Sequence, residues 1–151
     1  MELRGSCHCG AVRFTVEAPH PVPYNLCYCS ICRKTAGGGG HAINLGARAA
    51  SLKVEGRENI STYRATPRME RTFCKTCGSA LWAFSEDWPE LLHPHASAID
   101  TDLPLPPERT HLMLGSRAGW ADPKVDPQDK CFDAFPDESL AQWHDRTGMT
   151  R

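Results

Sequence analysis

The chain has 151 residues, is 40% hydrophobic and 23% charged, and sets 17 Lys and Arg against 18 Asp and Glu for a formal net charge of −1. That length suits one domain, over residues 1–151, with a modest core, and the near-neutral balance removes the electrostatic case for nucleic-acid binding. No stretch is apolar enough to span a bilayer, and Met1-Glu2-Leu3-Arg4-Gly5 lacks the apolar run of a signal peptide. The expected compartment is therefore a reducing cytoplasm, where thiols serve metals or chemistry rather than disulfides.

With 12 Gly and 12 Pro, short strands and many turns are expected instead of long helices. Gly5 to Glu17 reads as a metal knuckle running into a strand, because Val12, Phe14 and Val16 alternate with Arg13, Thr15 and Glu17. Pro19-His20-Pro21-Val22-Pro23 is a linker, followed by a short strand into Cys27. Ser30 to Thr35 forms one helical turn, ended by Gly37-Gly38-Gly39-Gly40. Further strands are expected at His41 to Leu45, Ser51 to Val54, Ser61 to Arg64, Arg68 to Phe73, Ala80 to Phe84, Leu91 to Ala98 and His111 to Leu114. Only Glu138 to Arg146 reads as helix, with Leu140, Trp143 and His144 on one side. The architecture expected from these elements is mainly β. Phe73, Trp82, Phe84 and Trp120 are most simply core.

Seven of the eight cysteines fall into three tight clusters: Cys7-His8-Cys9, Cys27-Tyr28-Cys29-Ser30-Ile31-Cys32, and Cys74-Lys75-Thr76-Cys77. Thiolates so closely spaced are the mark of a bound metal, most often zinc. Seven divides as four plus three: four thiolates close a tetrahedral structural site, and three leave a position open for chemistry. Gly10 follows Cys9 and Gly78 follows Cys77, which lets the backbone turn tightly around a metal. A disulfide-stapled domain is the rival reading. Cys7/Cys9 and Cys27/Cys29 are too close in sequence to bridge each other well. Cys74-x-x-Cys77 alone also fits a redox pair, although a hairpin is the wrong context for it. The Cys27, Cys29 and Cys32 site could instead be structural too, completed by a His or by Cys131.

The sequence resembles the glutathione-dependent formaldehyde-activating enzymes. The resemblance rests on Gly5-Ser6-Cys7-His8-Cys9-Gly10-Ala11-Val12-Arg13-Phe14, on Cys27 to Lys34, on Arg71-Thr72-Phe73-Cys74-Lys75-Thr76-Cys77-Gly78-Ser79, and more loosely on His111 to Trp120. It covers roughly residues 5–136. It implies a small β-sandwich-like fold of curled antiparallel sheets around zinc, to which the residue pattern adds the short helix at the C-terminus. It also implies a structural zinc on Cys7, Cys9, Cys74 and Cys77, and a second, catalytic zinc on Cys27, Cys29 and Cys32. The pairing of the clusters comes from the resemblance; spacing alone leaves it open. The implied activity is that of a carbon–sulfur lyase working in the joining direction, from glutathione and formaldehyde to S-hydroxymethylglutathione. Small-molecule thiol and aldehyde are the expected partners, with neither nucleic acid nor membrane. Tyr28 stands where many members carry His, and the Gly37–Gly40 loop is plainer than usual, so substrate choice rests on loops that differ here.

Other residues read more plainly. Arg33 and Lys34 are expected to be solvated charge, with a grip on a substrate carboxylate as the functional alternative. His8 is expected at the surface, and His41 to be structural or exposed rather than a metal ligand. Cys131 reads as a free thiol or a core residue. The rival functions are a zinc-stabilised binding module without catalysis and a thiol-redox or metal-handling protein.

Overall fold

Alternation of apolar and polar side chains, not helical spacing, decides most of the secondary structure. A computed structural model describes residues 1–36 and 38–149; Gly37 of the glycine tract, Thr150 and Arg151 lie outside the described residues. In chain order the strands are β1 (Glu2–Ser6), β2 (Arg13–Glu17), β3 (Asn25–Cys27), β4 (Ala42–Asn44), β5 (Ala47–Arg48), β6 (Lys53–Glu55), β7 (Ile60–Thr66), β8 (Met69–Cys74), β9 (Ala80–Ser85), β10 (Leu91–Pro94), β11 (Thr110–Leu112) and β12 (Lys130–Cys131). The helices are α1 (Ser30–Ala36) and α2 (Leu140–Arg146). The architecture is mainly β with a short C-terminal helix, as the patterning implies. No helix among the described residues is long and apolar enough to cross a membrane.

The chain divides into two compact units, Met1–Pro21 with Leu45–Leu103, and Val22–Asn44 with Pro104–Arg151. The first unit holds two antiparallel sheets, β1-β2-β6 and β5-β10-β9-β8-β7. Phe14 and Val16 of β2 point inward while Arg13 is exposed, so period-two alternation sorts the two faces. Leu3, Val12, Leu45 and Leu81 are fully buried beside them, each worth about 1.5–3 kcal/mol of burial. Phe14 and Trp82 meet edge to face, with ring centroids 5.0 Å apart at 71°, which adds about 1 kcal/mol beyond area.

Asn59 ties this framework to both cysteine segments of the unit. Its side-chain amide donates to the Ala11 carbonyl at 3.4 Å, and its own carbonyl accepts from the Lys75 N–H at 2.9 Å. Gly56 makes the approach possible. Its φ is +79°, and a Cβ there would lie 1.9 Å from the Ala11 carbonyl oxygen. Any side chain must therefore push the Ala11 backbone, next to Cys9, out of place.

In the second unit the sheet order is β12-β11-β3-β4. β3 and β4 are antiparallel, whereas β11 runs parallel to both β3 and β12. This sheet is thus mixed, because β3 and β11 are far apart in sequence and return by long connections rather than a hairpin. Helix α2 has only seven residues and depends on its cap and its packing. The Ser139 hydroxyl accepts from the Gln142 N–H at 3.2 Å, and the Gln142 side chain accepts from the Ser139 N–H at 2.7 Å, a reciprocal capping box. Trp143 is buried, and its indole N–H donates to Glu108 at 2.9 Å. His144 is buried as well and donates from Nε2 to the Val22 carbonyl at 2.7 Å.

Several boundaries differ from the sequence reading. The Leu91–Ala98 segment is a strand only to Pro94 and then a 3₁₀ turn over Ala96–Ala98. The Ser51–Val54 strand shifts to β6, after a 3₁₀ turn over Ala49–Ser51. The strand at His111 ends at Leu112, because Met113 turns left-handed with φ 58°. Strands β1, β5 and β12 were not expected. Trp82 is core, Phe73 and Phe84 are half-buried, and Trp120 is exposed. Trp120 is 65% accessible and lies in a turn, with its ring beside Gly40.

Replacing Gly56 with Ala should lower the urea midpoint by the equivalent of about 2 kcal/mol or more, through the backbone clash and the positive φ. Gly38→Ala, at a site with nothing within 4 Å, should stay within about 0.5 kcal/mol of wild type.

Candidate metal centres

Cys7, Cys9, Cys74 and Cys77 converge in the first unit, with all four sulfurs within 4.8 Å of one another. Cys7 and Cys9 lie on the turn leaving β1, Cys74 ends β8, and Cys77 lies on the turn between β8 and β9. Each turn is closed by a glycine with positive φ, Gly10 at 78° and Gly78 at 79°, a conformation that costs most residues about 1 kcal/mol or more. The Gly10 N–H donates to the Cys7 carbonyl at 3.2 Å and the Gly78 N–H to the Cys74 carbonyl at 2.7 Å. The two turns are therefore similar knuckles brought face to face.

The sulfur spacing has the size of a metal site. The Cys7–Cys9 distance is 3.6 Å and the Cys9–Cys74 distance 3.8 Å. A tetrahedral site with metal–sulfur bonds of about 2.3 Å has S···S edges of about 3.8 Å. None of the eight cysteines forms a disulfide, and these gaps are far from the roughly 2.05 Å of a disulfide. The disulfide-stapled reading is thus excluded for this structure.

Hydrogen bonds prepare these sulfurs for negative charge. The Val12 N–H donates to Cys7 Sγ at 3.2 Å. Ser79 faces Cys77 Sγ at 3.2 Å and also accepts from the His8 N–H at 3.0 Å, so one hydroxyl joins both knuckles. The Ser79 hydroxyl, followed by backbone N–H groups, draws the Cys77 thiol down to about 5. The Cys77 N–H likewise lowers Cys74. At Cys9 the Ala11 N–H acts downward, but Cys7, burial, Cys77 and Cys74 outweigh it and push the thiol up to about 11. The two shifts are thus opposed within one cluster, through different hydrogen-bond partners.

Cys27, Cys29 and Cys32 converge in the second unit, again within 4.8 Å. Cys27 ends β3, Cys29 precedes α1, and Cys32 lies in its first turn. Cys27 and Cys32 are buried with Ala42 and Leu112, and Cys29, Ala36 and Met113 pack against them. The Cys32 N–H donates to Cys29 Sγ at 3.3 Å, and the Asn44 amide donates to Cys32 Sγ at 3.7 Å. Hydrogen bonding with Cys27 and then with Cys32 draws the Cys29 thiol down to about 2. Cys27 moves strongly the other way, through its bonds to Cys29 and Cys32 and its burial.

The remaining candidates lie outside these sulfur groups. His41 packs its ring on Tyr28 with centroids 5.0 Å apart, and its Nδ1 is buried with no hydrogen-bond partner among the described residues. Burial keeps His41 neutral. His8 is exposed and contributes only its backbone. Lys34 is exposed, while Arg33 is half-buried with Nε unpartnered among the described residues. Cys131 is an exposed free thiol. Ser79, Asn44 and Asn59 escaped sequence reading because isolated polar residues carry no spacing signal. For Ser79 alone, its place one residue after the knuckle glycine was a usable hint.

The direction of the Cys27 shift makes a testable statement. A metal ion entering this cluster must displace the proton that Cys27 retains at neutral pH, and protons compete more strongly as pH falls. Apparent metal affinity at this cluster should therefore rise between pH 6 and pH 8, by about tenfold per unit for each proton released. Chelator competition with cadmium(II) measures this, and a flat profile contradicts it.

The profile of the family "Glutathione-dependent formaldehyde-activating enzyme" matches residues 2–114, a span that holds both clusters. A Halomonas elongata protein named "Putative glutathione-dependent formaldehyde-activating enzyme" is 59% identical over 154 residues, covering 99% of this chain and 98% of its own. A Schizosaccharomyces pombe protein named as an uncharacterized lyase is 28% identical over 81 residues, covering 54% of this chain and 56% of its own. A crystal structure of a Rhodobacter sphaeroides protein matches with a TM-score of 0.58 at 31% identity, covering 70% of this chain and 98% of that one. By this match and this identity, the chain belongs to the glutathione-dependent formaldehyde-activating enzyme family.

Proposed function

We propose that this chain is a zinc-dependent carbon–sulfur lyase-type enzyme that joins a thiol, glutathione, to a small aldehyde, formaldehyde, in the cytoplasm. In this reading Cys7, Cys9, Cys74 and Cys77 hold a structural zinc, and Cys27, Cys29 and Cys32 hold a second zinc and form the catalytic site. The observation that carries it is the contrast between a four-sulfur group and a three-sulfur group. Four thiolates complete a tetrahedron, and three leave one position for substrate. The family's description and the name of the Halomonas elongata relative support the choice of glutathione and formaldehyde.

When bound at the three-sulfur group, zinc supplies a position at which a substrate thiol stays ionised at neutral pH. The chain's own residues do the rest. Hydrogen bonding with its neighbours favours the thiolate form of Cys29, with Cys27 and Cys32 beside it to complete the donor set. Ala42, Leu112 and Met113 keep water from the buried side of the sulfurs, which strengthens every charge interaction there. The Cys32 N–H and the Asn44 amide hold negative charge on sulfur. In the reaction the thiol sulfur bonds to the aldehyde carbon, the carbonyl π pair moves onto oxygen, and the thiol proton ends on that oxygen. The balance needs neither oxidant nor reductant.

Because glutathione and formaldehyde also combine unaided, the test is a rate above buffer. Formation of S-hydroxymethylglutathione should be faster with the wild-type protein than in buffer, and Cys29→Ser should return it to the buffer rate with the fold intact by circular dichroism. Equal rates for wild type and buffer would contradict the proposal. Cys77→Ser should instead lower thermal stability first, by the equivalent of several kcal/mol, because it opens the structural site.

A further inference from the structure

Tyr28 lies between two of the clustered cysteines, and its hydroxyl ends a buried chain that starts on a distant loop. The Asp129 carboxylate, 1% exposed, anchors that chain. Its Oδ1 accepts from the Arg109 N–H at 2.9 Å. Its Oδ2 accepts from the Asp126 N–H at 3.0 Å, from Arg109 Nε at 3.2 Å and from His111 Nε2 at 3.0 Å, and it forms an ion pair with Arg109 Nη2 at 3.0 Å. Burial pushes this carboxyl up, but the Arg109 N–H, His111, the Asp126 N–H and the Arg109 side chain hold it down at about 2.

An ionised carboxylate only accepts, so the His111 nitrogen facing it carries the proton. His111 Nδ1, on the other side of the ring, lies 3.4 Å from the Tyr28 hydroxyl, within hydrogen-bond reach. Tyr28 and His111 are 1% and 0% exposed, with rings stacked at 24°. The backbone repeats the grip. Leu112 of β11 pairs with Cys27, and the Leu112 carbonyl accepts the Tyr28 N–H at 3.1 Å. Phenylalanine and leucine would fill this space with no buried polar atom to satisfy.

We infer that Asp129 and His111 act through Tyr28 as positioning residues that set the sulfur geometry of the Cys27, Cys29 and Cys32 cluster. The inference rests on reading that cluster as a metal-holding set. The chain fixes the far end of the side chain between Cys27 and Cys29, and the Leu112 contact fixes its near end. The segment that carries both sulfurs then cannot rotate without breaking a buried bond.

The test is a double-mutant cycle on the full chain. Tyr28→Phe, Asp129→Asn and the double variant are stripped of metal and titrated with cobalt(II) against a chelator. Each single variant should weaken the weaker of the two cobalt sites by about tenfold, with the tighter site and the melting temperature near wild type. The double variant should bind no more weakly than the worse single one, since both changes cut one chain. Unchanged affinity in both singles, or losses that multiply in the double, would overturn the inference. Should Asp129→Asn fail to fold, His111→Gln takes its place in the cycle. If wild type itself binds one cobalt ion, the metal reading fails separately. Iodoacetamide labelling of Cys29 in the same metal-free proteins then decides: a rate shifted by about threefold or more in Tyr28→Phe supports positioning, and an unchanged rate overturns it.

Discussion

Sulfur crowding is the constraint on which the structure turns. Two thiolates 3.6–3.8 Å apart, as among Cys7, Cys9 and Cys74, repel by about 4 kcal/mol even at an effective dielectric constant of 20. A cluster of such groups cannot be fully ionised without a cation. The shifts within each cluster are opposed: Cys9 is raised while Cys77 is lowered, and Cys27 is raised while Cys29 is lowered. Both clusters therefore read as cation sites before any ion is considered, and both link cation binding to proton release.

The clusters differ in how they are built, and the difference bears on what each can do. The first joins segments 65 or more residues apart in sequence, Cys9 to Cys74 among them, and it is braced by Ser79 and Asn59 from both sides. A cation there closes a long loop and contributes folding energy directly. The second is local, drawn from one strand end and the first turn of one short helix. It closes no comparable loop between its own sulfurs. Its support comes from outside, from β11 and the Asp129 loop, which is what a site held in shape for chemistry needs more than one held for stability.

Much of this was legible in the sequence, for physical reasons that differ by residue. Metal ligands must approach within a few ångströms, so a loop that supplies several of them places them close in sequence, and Cys27, Cys29 and Cys32 could be seen at once. The mainly β architecture was legible because Val12, Phe14 and Val16 alternate with polar residues. The capped helix at the C-terminus followed from one apolar face. Other features left no local trace. Strand β12 is two exposed residues whose only cause is pairing with β11. Trp120 is exposed although its composition suggested core, since a large apolar side chain can rest on a loop. Asp129 and His111 meet across 18 residues, and nothing in the turn Asp126-Pro127-Gln128-Asp129 announces which partner it serves.

The most direct test of the central claim, one structural and one open metal site on a single chain, is the zinc content of gently purified protein by elemental analysis, before and after a mild chelator. The account predicts about two zinc ions per chain, with one removed readily as Cys27, Cys29 and Cys32 become open to alkylation, and one retained by Cys7, Cys9, Cys74 and Cys77. A single tightly held zinc, with the three-cysteine cluster alkylated or oxidised from the start, would contradict it.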